Sequence, residues 1–89
     1  MSGYQPVLTA AALRSLQTVP PRVAEPLVAF IFGSLAAAPR TRGKPLQREL
    51  QGRWSARRGD YRVVYRLDEE AKTIYVLKIL HRCQAYRPH

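Results

Sequence analysis

The feature that most constrains this fold is residues 53–66, where apolar and polar side chains alternate on both sides of Gly59-Asp60. Alternation of this kind is typical of β-strands, and a glycine-led pair between two such runs favours a two-residue type II′ turn. The turn predicts a β-hairpin and sets its register, which places Arg57 directly opposite Arg62.

The predicted register gives the hairpin two faces of different chemistry. One face is apolar and carries Trp54, Ala56, Tyr61, Val63 and Tyr65. The other, here called the arginine face, carries Arg53, Ser55, Arg57, Arg62, Val64 and Arg66. Like charges directly opposite each other destabilise a sheet, so the two arginine pairs indicate an external anion. Phosphate is the natural candidate, because a planar guanidinium binds it through two hydrogen bonds.

The charge of the whole chain favours a polyanionic partner. Its 89 residues are enough for one domain spanning 1–89, and they carry a net charge of +9. Nine of the fifteen basic residues lie within 40–66, where Glu49 and Asp60 supply the acids. Such clustering is typical of a nucleic-acid-binding surface, although a basic surface that only keeps a small protein dissolved is the alternative.

The cysteine content and the hydropathy predict a cytoplasmic protein. A single cysteine, Cys83, excludes an intramolecular disulfide framework and fits a reducing compartment. We find no apolar run near the roughly 20 residues that span a bilayer, and the N-terminus lacks the layout of a signal peptide. We therefore expect neither membrane insertion nor export.

The first half of the chain predicts one strand and two helices. Residues 4–9 form the strand, and Thr9 then caps a helix that ends near Leu16. A second helix begins at Pro21 and extends to about Ala37, with an apolar residue every fourth position: Val23, Leu27, Ile31 and Leu35. Pro26 interrupts this pattern, so the helix either bends there or begins nearer Glu25.

The second half predicts the rest of a sheet. Residues 39–52 show no periodicity and are interpreted as a loop, in which Leu46 and Leu50 are spaced for a single helical turn. After the hairpin, an acidic reversal at 67–72 leads to a central strand at 73–80 that is apolar on both faces. The expected fold is α+β, with two N-terminal helices on a four-stranded, mostly antiparallel sheet.

Three runs of sequence together resemble one protein family. They are Leu-Gln-Gly at 50–52, Ser-Ala-Arg-Arg-Gly-Asp-Tyr-Arg-Val-Val-Tyr at 55–65, and His-Arg-Cys-Gln-Ala-Tyr-Arg at 81–87. The chain resembles the RelE/ParE toxin superfamily over nearly its whole length, and within it RelE-type mRNA interferases. The resemblance implies a bacterial type II toxin that cleaves mRNA in the ribosomal A site. It also implies a partner antitoxin, for which the basic charge predicts an acidic helical segment that wraps the toxin.

The resemblance also implies catalytic roles. Arg62 would neutralise the scissile phosphate, Arg82 would lie at the leaving-group side, and Tyr86 would stack on a base or orient the 2′-hydroxyl. The residues expected to bind RNA phosphates are Lys44, Arg48, Arg53, Ser55, Arg57 and Arg66. No cofactor is expected, and His81 and His89 lack partners at metal-ligand spacing.

One departure from RelE-type toxins bears on activity. Strongly active members carry lysines on the strand before the turn, where this chain has Arg53 and Ser55. Arginine supplies charge but essentially cannot exchange a proton at neutral pH. Cleavage is therefore expected to be slow, or to depend on ribosomal RNA groups for activation.

Simpler structural roles stay open for several of these residues. Arg57 and Arg62 have Glu49 and the acids at 68–70 as alternative partners, and Tyr86 has the edge of the core. Trp54, Tyr61 and Tyr65 are expected in the core, and His81 is expected to pack against it. Ser55, His81 and Asp60 do not form a credible triad, because His81 points to the opposite face.

Two other functions are compatible with the same sequence. A ParE-like toxin of this fold poisons DNA gyrase and needs no RNA-cleaving site. A catalytically inactive nucleic-acid-binding protein would bind with steep salt dependence and leave its ligand uncut. The convergence of Arg62, Arg82 and Tyr86 on one phosphate would separate the nuclease from both.

Overall fold

A computed structural model describes residues 3–46 and 52–82 of the chain. The strands are β1 (Gln5–Leu8), β2 (Gly43–Pro45), β3 (Arg53–Arg58), β4 (Tyr61–Asp68) and β5 (Thr73–His81). The helices are α1 (Ala10–Gln17), α2 (Pro21–Phe30) with a π-helical continuation at Ile31–Leu35, and the short α3 (Pro39–Arg42). Within the described residues, no helix has the length and apolarity needed to cross a bilayer.

The strands form one mixed sheet in the order β1-β5-β4-β3-β2. β1 runs parallel to β5, and the other neighbouring pairs are antiparallel. The α+β prediction is confirmed, with β5 inside the sheet as expected. The predicted count of four strands is wrong for the described residues, because part of the expected loop at 39–52 forms α3 and the edge strand β2.

The helices begin where the sequence predicts. The Thr9 hydroxyl accepts a hydrogen bond from the Ala12 amide at 3.2 Å and donates to the Val76 carbonyl at 2.9 Å, so it joins α1 to β5. Pro21 starts α2, and Pro26 lies inside the helix. The helix therefore does not begin nearer Glu25, and its backbone continues through the π-helical segment.

The core lies between the helices and one face of the sheet. The apolar helix stripe supplies Leu27, Ile31 and Leu35, which are fully buried. The sheet supplies Ala56, Val63, Tyr65, Ile74, Val76 and Ile79. Trp54 and Tyr61 are partly buried against this cluster, which confirms the core role predicted for the hairpin aromatics. His81 packs edge-on against Tyr61, with ring centroids 5.1 Å apart.

A buried tyrosine ties α3 and β2 to the sheet. Tyr65 is fully buried, and its hydroxyl donates a 2.6 Å hydrogen bond to the Pro39 carbonyl. Gly43 lies against the same hydroxyl, and a Cβ at this position would overlap it and approach the Ser55 carbonyl to 3.0 Å. The backbone of Gly43 is extended, so it is close contact and not the φ angle that requires glycine here.

Tyr65 should make the fold sensitive to alkaline pH. Burial raises the pKa of Tyr65 to about 12, whereas tyrosine in an unfolded chain has a pKa of about 10. Its contribution to stability is complete below pH ~10 and is lost as the pH rises toward ~12, by at most about 2–3 kcal/mol. Urea unfolding at pH 8, 10 and 11 measures this loss.

Tyr65→Phe should remove the alkaline loss and lower stability at pH 8 by about 1–3 kcal/mol, because the Pro39 carbonyl loses its donor. Tyr75→Phe removes a different tyrosine hydroxyl, leaves the buried Tyr65 hydroxyl in place, and serves as the control. Equal alkaline losses in the wild type and Tyr65→Phe would show that another group is responsible.

Candidate nucleic-acid interface

The arginine face forms as the hairpin turn predicts. β3 and β4 pair with Arg57 opposite Arg62 and Arg53 opposite Arg66, which is the predicted register. Gly59 has a positive φ of 62°. Asp60, the second turn residue, has a negative φ, because Lys72 is the only described non-glycine residue with a positive φ. A positive φ at the first turn residue alone is the signature of a type II′ turn.

The arginine face lies on the side of the sheet opposite the core. Arg53, Arg57 and Arg66 are exposed, whereas Ser55 and Arg62 are half-buried. In a two-residue hairpin the pair next to the closing pair lacks mutual backbone hydrogen bonds, so its Cα atoms lie about 4.5 Å apart. The side chains of Arg57 and Arg62 therefore begin close together, which concentrates positive charge.

Strand β2 extends this face. Lys44 lies opposite Ser55 in the β2–β3 pair, so its side chain is on the same side of the sheet as the arginines. A cleft of about 440 Å³ opens between β2 and the hairpin. We call it the basic cleft; its lining residues are Arg42, Gly43, Lys44, Pro45, Leu46, Ser55, Arg57 and Arg62. Four of the predicted site residues thus come together: Lys44, Ser55, Arg57 and Arg62.

The basic cleft is strongly cationic. Four of its described lining residues carry positive charge and none is acidic. Cations held at the edge of a low-dielectric body focus the electrostatic field and attract anions. The Ser55 hydroxyl adds a neutral hydrogen-bond donor between the charges. The arrangement suits a phosphodiester, which offers charged and uncharged oxygen acceptors at one centre.

Glu69, one acid of the reversal, contacts three other groups. Glu69 forms ion pairs with Arg40 and Lys72 and accepts a 2.7 Å hydrogen bond from the Tyr4 hydroxyl. The Tyr4 hydrogen bond, with help from the two cations, holds the pKa of Glu69 below its usual range. Glu69 therefore links Tyr4, just before β1, to Arg40 in α3. Glu49, another suggested partner, lies outside the described residues.

Three further site arginines, Arg53, Arg66 and Arg82, lie away from the basic cleft. The guanidinium of Arg66 stacks over the Tyr75 ring, 4.6 Å from its centroid, and Arg53 is its cross-strand neighbour. The Arg82 amide donates to the Asp60 carbonyl at 2.7 Å, and its guanidinium lies 3.9 Å from the Asp60 carboxylate. Arg82 is thus at the hairpin turn. Arg48 and Tyr86 lie outside the described residues, so their roles stay predictions.

The sequence analysis does not predict that Arg42 lines the site, nor that Lys44 lies in a strand that pairs with the hairpin. Arg42 ends α3, and Lys44 is the central residue of β2. Pro39 at the first position of α3 is the one local signal for this helix. In the described residues, no three His, Cys, Asp or Glu side chains group in a way that could hold a metal ion.

The basic cleft should bind inorganic phosphate. An anion that binds only the folded protein stabilises it by about 1.4 kcal/mol at ten times its Kd. We expect phosphate to raise the melting temperature above that in chloride at equal ionic strength. Arg57→Ala should lose most of this increment, and in chloride it should be slightly stabilised because the Arg57:Arg62 repulsion is gone.

Thermal unfolding in both salts measures the phosphate effect. Arg14→Ala removes the same charge from an exposed position of α1 outside the cleft and should retain the full increment. Equal phosphate increments in the wild type and Arg57→Ala would place the anion elsewhere.

Comparison with known protein families identifies relatives of this chain. Residues 7–86 match the family described as "ParE toxin of type II toxin-antitoxin system, parDE". The chain belongs to this toxin family. Toxin RelG of Mycobacterium tuberculosis is 46% identical over 84 residues, covering 94% of this chain and 97% of RelG. Toxin RelE of the same organism is 44% identical, covering 94% and 87%.

Solved structures place the toxin within the RelE/ParE superfamily. The toxin–antitoxin complex RelBE2 of Mycobacterium tuberculosis matches with a TM-score of 0.89 and 46% identity, over 92% of this chain and 94% of that one. The archaeal RelE–RelB complex of Pyrococcus horikoshii matches at 0.70 and 26% identity, over 92% and 97%. The predicted superfamily is confirmed, and the protein is a type II toxin.

Proposed function

We propose that this toxin is a ribosome-dependent endoribonuclease that cleaves mRNA in the A site. The observation that carries the proposal is the basic cleft, where Ser55, Arg57 and Arg62 from the hairpin meet Lys44 from β2. A polyanion with exposed phosphates fits this cleft, and mRNA in the A site presents such a backbone. The reaction requires no cofactor.

The proposed reaction uses the RNA's own 2′-hydroxyl as the nucleophile. Its oxygen attacks the adjacent phosphorus in line, the bond to the 5′-oxygen breaks, and a 2′,3′-cyclic phosphate remains. Negative charge on the phosphate oxygens grows toward the transition state, so fixed guanidiniums at these oxygens accelerate the step. Arg62 is suited to this role because it is half-buried in the cleft, where solvent screening is reduced.

Arg82 and Tyr86 complete the proposed site. The Arg82–Asp60 ion pair is exposed, with 61% and 65% of the two side chains accessible, so it contributes about 0–1 kcal/mol. Arg82 can therefore exchange Asp60 for an RNA phosphate beside the hairpin turn at little cost. Tyr86 would stack on a base or orient the 2′-hydroxyl. Arg53 and Arg66, at the far end of the arginine face, would hold flanking phosphates, as would Arg48.

We propose that the toxin acts in the cytoplasm and is held inactive by a cognate antitoxin. RelBE2 is a toxin–antitoxin complex, and the archaeal relative is a complex of RelE with RelB. For this chain, the net charge of +9 favours an acidic, amphipathic helical segment that wraps the toxin and covers the arginine face.

Mapping mRNA 5′ ends by primer extension tests the proposal. Purified toxin is added to translating ribosomes and, separately, to the same mRNA without ribosomes. New ends within A-site codons that depend on the ribosome would support the nuclease. Intact mRNA in both samples would contradict it.

Gyrase poisoning is the second candidate, and the match to the ParE family favours it. A supercoiling assay with purified gyrase is the direct comparison. Accumulation of cleaved DNA together with intact mRNA would establish this second activity. Binding to RNA that weakens steeply with salt and yields no cut would instead indicate a nucleic-acid-binding protein.

A further inference from the structure

One cation in the basic cleft differs chemically from the other three. Lys44 carries an ammonium, whereas the other charges belong to arginines. We propose that Lys44 is the proton donor to the 5′-oxygen that leaves during RNA cleavage. This inference rests on the proposed nuclease function and assigns its acid catalyst.

The backbone that carries Lys44 is fixed from several directions. Its neighbours Gly43 and Pro45 pair with β3, and the Leu46 amide donates a 2.8 Å hydrogen bond to the Arg53 carbonyl. Gly43 also lies against the Tyr65 hydroxyl, which in turn bonds to Pro39. A short edge strand would otherwise fray, and these contacts hold it against the hairpin. The Lys44 side chain therefore starts from a defined position beside Ser55.

The chemistry of the leaving group explains why an ammonium matters. As the 2′-oxygen forms its bond to phosphorus, the P–O5′ bond breaks and its electron pair stays on the 5′-oxygen. An alkoxide is a poor leaving group, so a proton must reach this oxygen during the step. Lys44 supplies that proton and becomes a neutral amine, which then regains a proton from water. The proton of the 2′-hydroxyl passes to water.

Other described residues of the cleft are poor donors. A guanidinium, with a typical pKa above about 12, is too weak an acid to donate its proton in this step, and a serine hydroxyl is no stronger. His81, a good acid in principle, is packed edge-on against Tyr61 on the core side of the hairpin. Within the described cleft, Lys44 combines a transferable proton with a place opposite Ser55.

A bridging sulfur atom tests proton donation directly. Ribosomes are programmed with an mRNA carrying the mapped A-site codon, with either oxygen or sulfur as the 5′ atom of the scissile linkage. A thiolate leaves readily without a proton, so its departure does not need an acid. Rates are measured under single-turnover conditions for the wild type, Lys44→Arg and Lys44→Ala.

Proton donation predicts a rate that depends on the leaving atom. Both Lys44 variants should cut the oxygen linkage about 10²-fold or more slowly than the wild type, yet cut the sulfur linkage within about threefold of it. Lys78→Arg is the matched control, since Lys78 lies opposite Val64 on the same face and outside the cleft lining; it should cut both linkages normally. Circular dichroism and thermal melting confirm that each variant is folded.

Two results would overturn the assignment. Normal cleavage of the oxygen linkage by Lys44→Arg would show that position 44 supplies charge alone. Equal slowing on both linkages would show that Lys44 binds or positions RNA. Failure of the proposed function looks different, since the wild type itself would then leave the oxygen linkage intact.

Discussion

Arg62→Ala is expected to slow A-site cleavage by about 10²–10³-fold under single-turnover conditions, the usual cost of removing one preorganised donor to a developing charge. Arg62 is half-buried in the basic cleft and faces Arg57 across the hairpin. Its removal leaves the phosphate with one guanidinium fewer where charge accumulates. The fold should persist, because the substitution also relieves a like-charge pair.

Two comparisons isolate the role of Arg62. Arg62→Lys keeps the charge but loses the planar fork, and should recover only part of the rate. Arg14→Ala removes the same net charge from an exposed position of α1, so it controls for the general attraction of a basic protein to ribosomes. Equal rates for Arg62→Ala and Arg14→Ala would mean that the cleft does not contact the reacting phosphate.

Gly43→Ala is expected to lower the free energy of unfolding by about 2–4 kcal/mol, as overpacking and loss of a buried hydrogen bond add together. The new methyl group would overlap the Tyr65 hydroxyl and press on the Ser55 carbonyl. Relief requires either loss of the Tyr65–Pro39 hydrogen bond or separation of β2 from β3. A domain of this size has only about 5–13 kcal/mol of stability, so the melting temperature should fall by ~10 °C or more.

Gly33→Ala is the matched control, because nothing lies within 4 Å of the position that its Cβ would occupy. It should be neutral or slightly stabilising, since alanine restricts the unfolded chain. In the double variant Gly43→Ala/Tyr65→Phe the overlapping hydroxyl is absent. The double variant should therefore lose less stability than the sum of the losses of the two single variants. A Gly43→Ala protein as stable as the wild type would contradict the close packing of β2.

The sequence predicts the elements whose signals are local. The Gly59-Asp60 turn determines the entire hairpin register, because a two-residue loop leaves no freedom in strand pairing. The four-residue spacing that ends at Leu35 likewise identifies the buried stripe of the second helix. The π-helical continuation has no comparable signal, and nothing in its sequence announces the change of hydrogen-bond pattern.

The sequence predicts the hairpin wall of the basic cleft but not the wall formed by β2, because β2 depends on contacts with residues far away in the sequence. Residues 43–45 read Gly-Lys-Pro, which is too short to show alternation and contains a proline that cannot donate to a ladder. They form β2 because Gly43 fits against a tyrosine 22 positions later and pairs with β3. The sequence predicts that Lys44 binds phosphate, but its place opposite Ser55 depends on this packing and could not be derived.

The most direct test of the central claim is cleavage of a programmed A-site codon whose scissile nucleotide carries either a 2′-hydroxyl or a 2′-hydrogen. The account predicts that the wild-type toxin cuts the ribonucleotide, leaves a 2′,3′-cyclic phosphate, and does not cut the deoxyribonucleotide. An uncut ribonucleotide on the ribosome, or equal cutting of both codons, would contradict it.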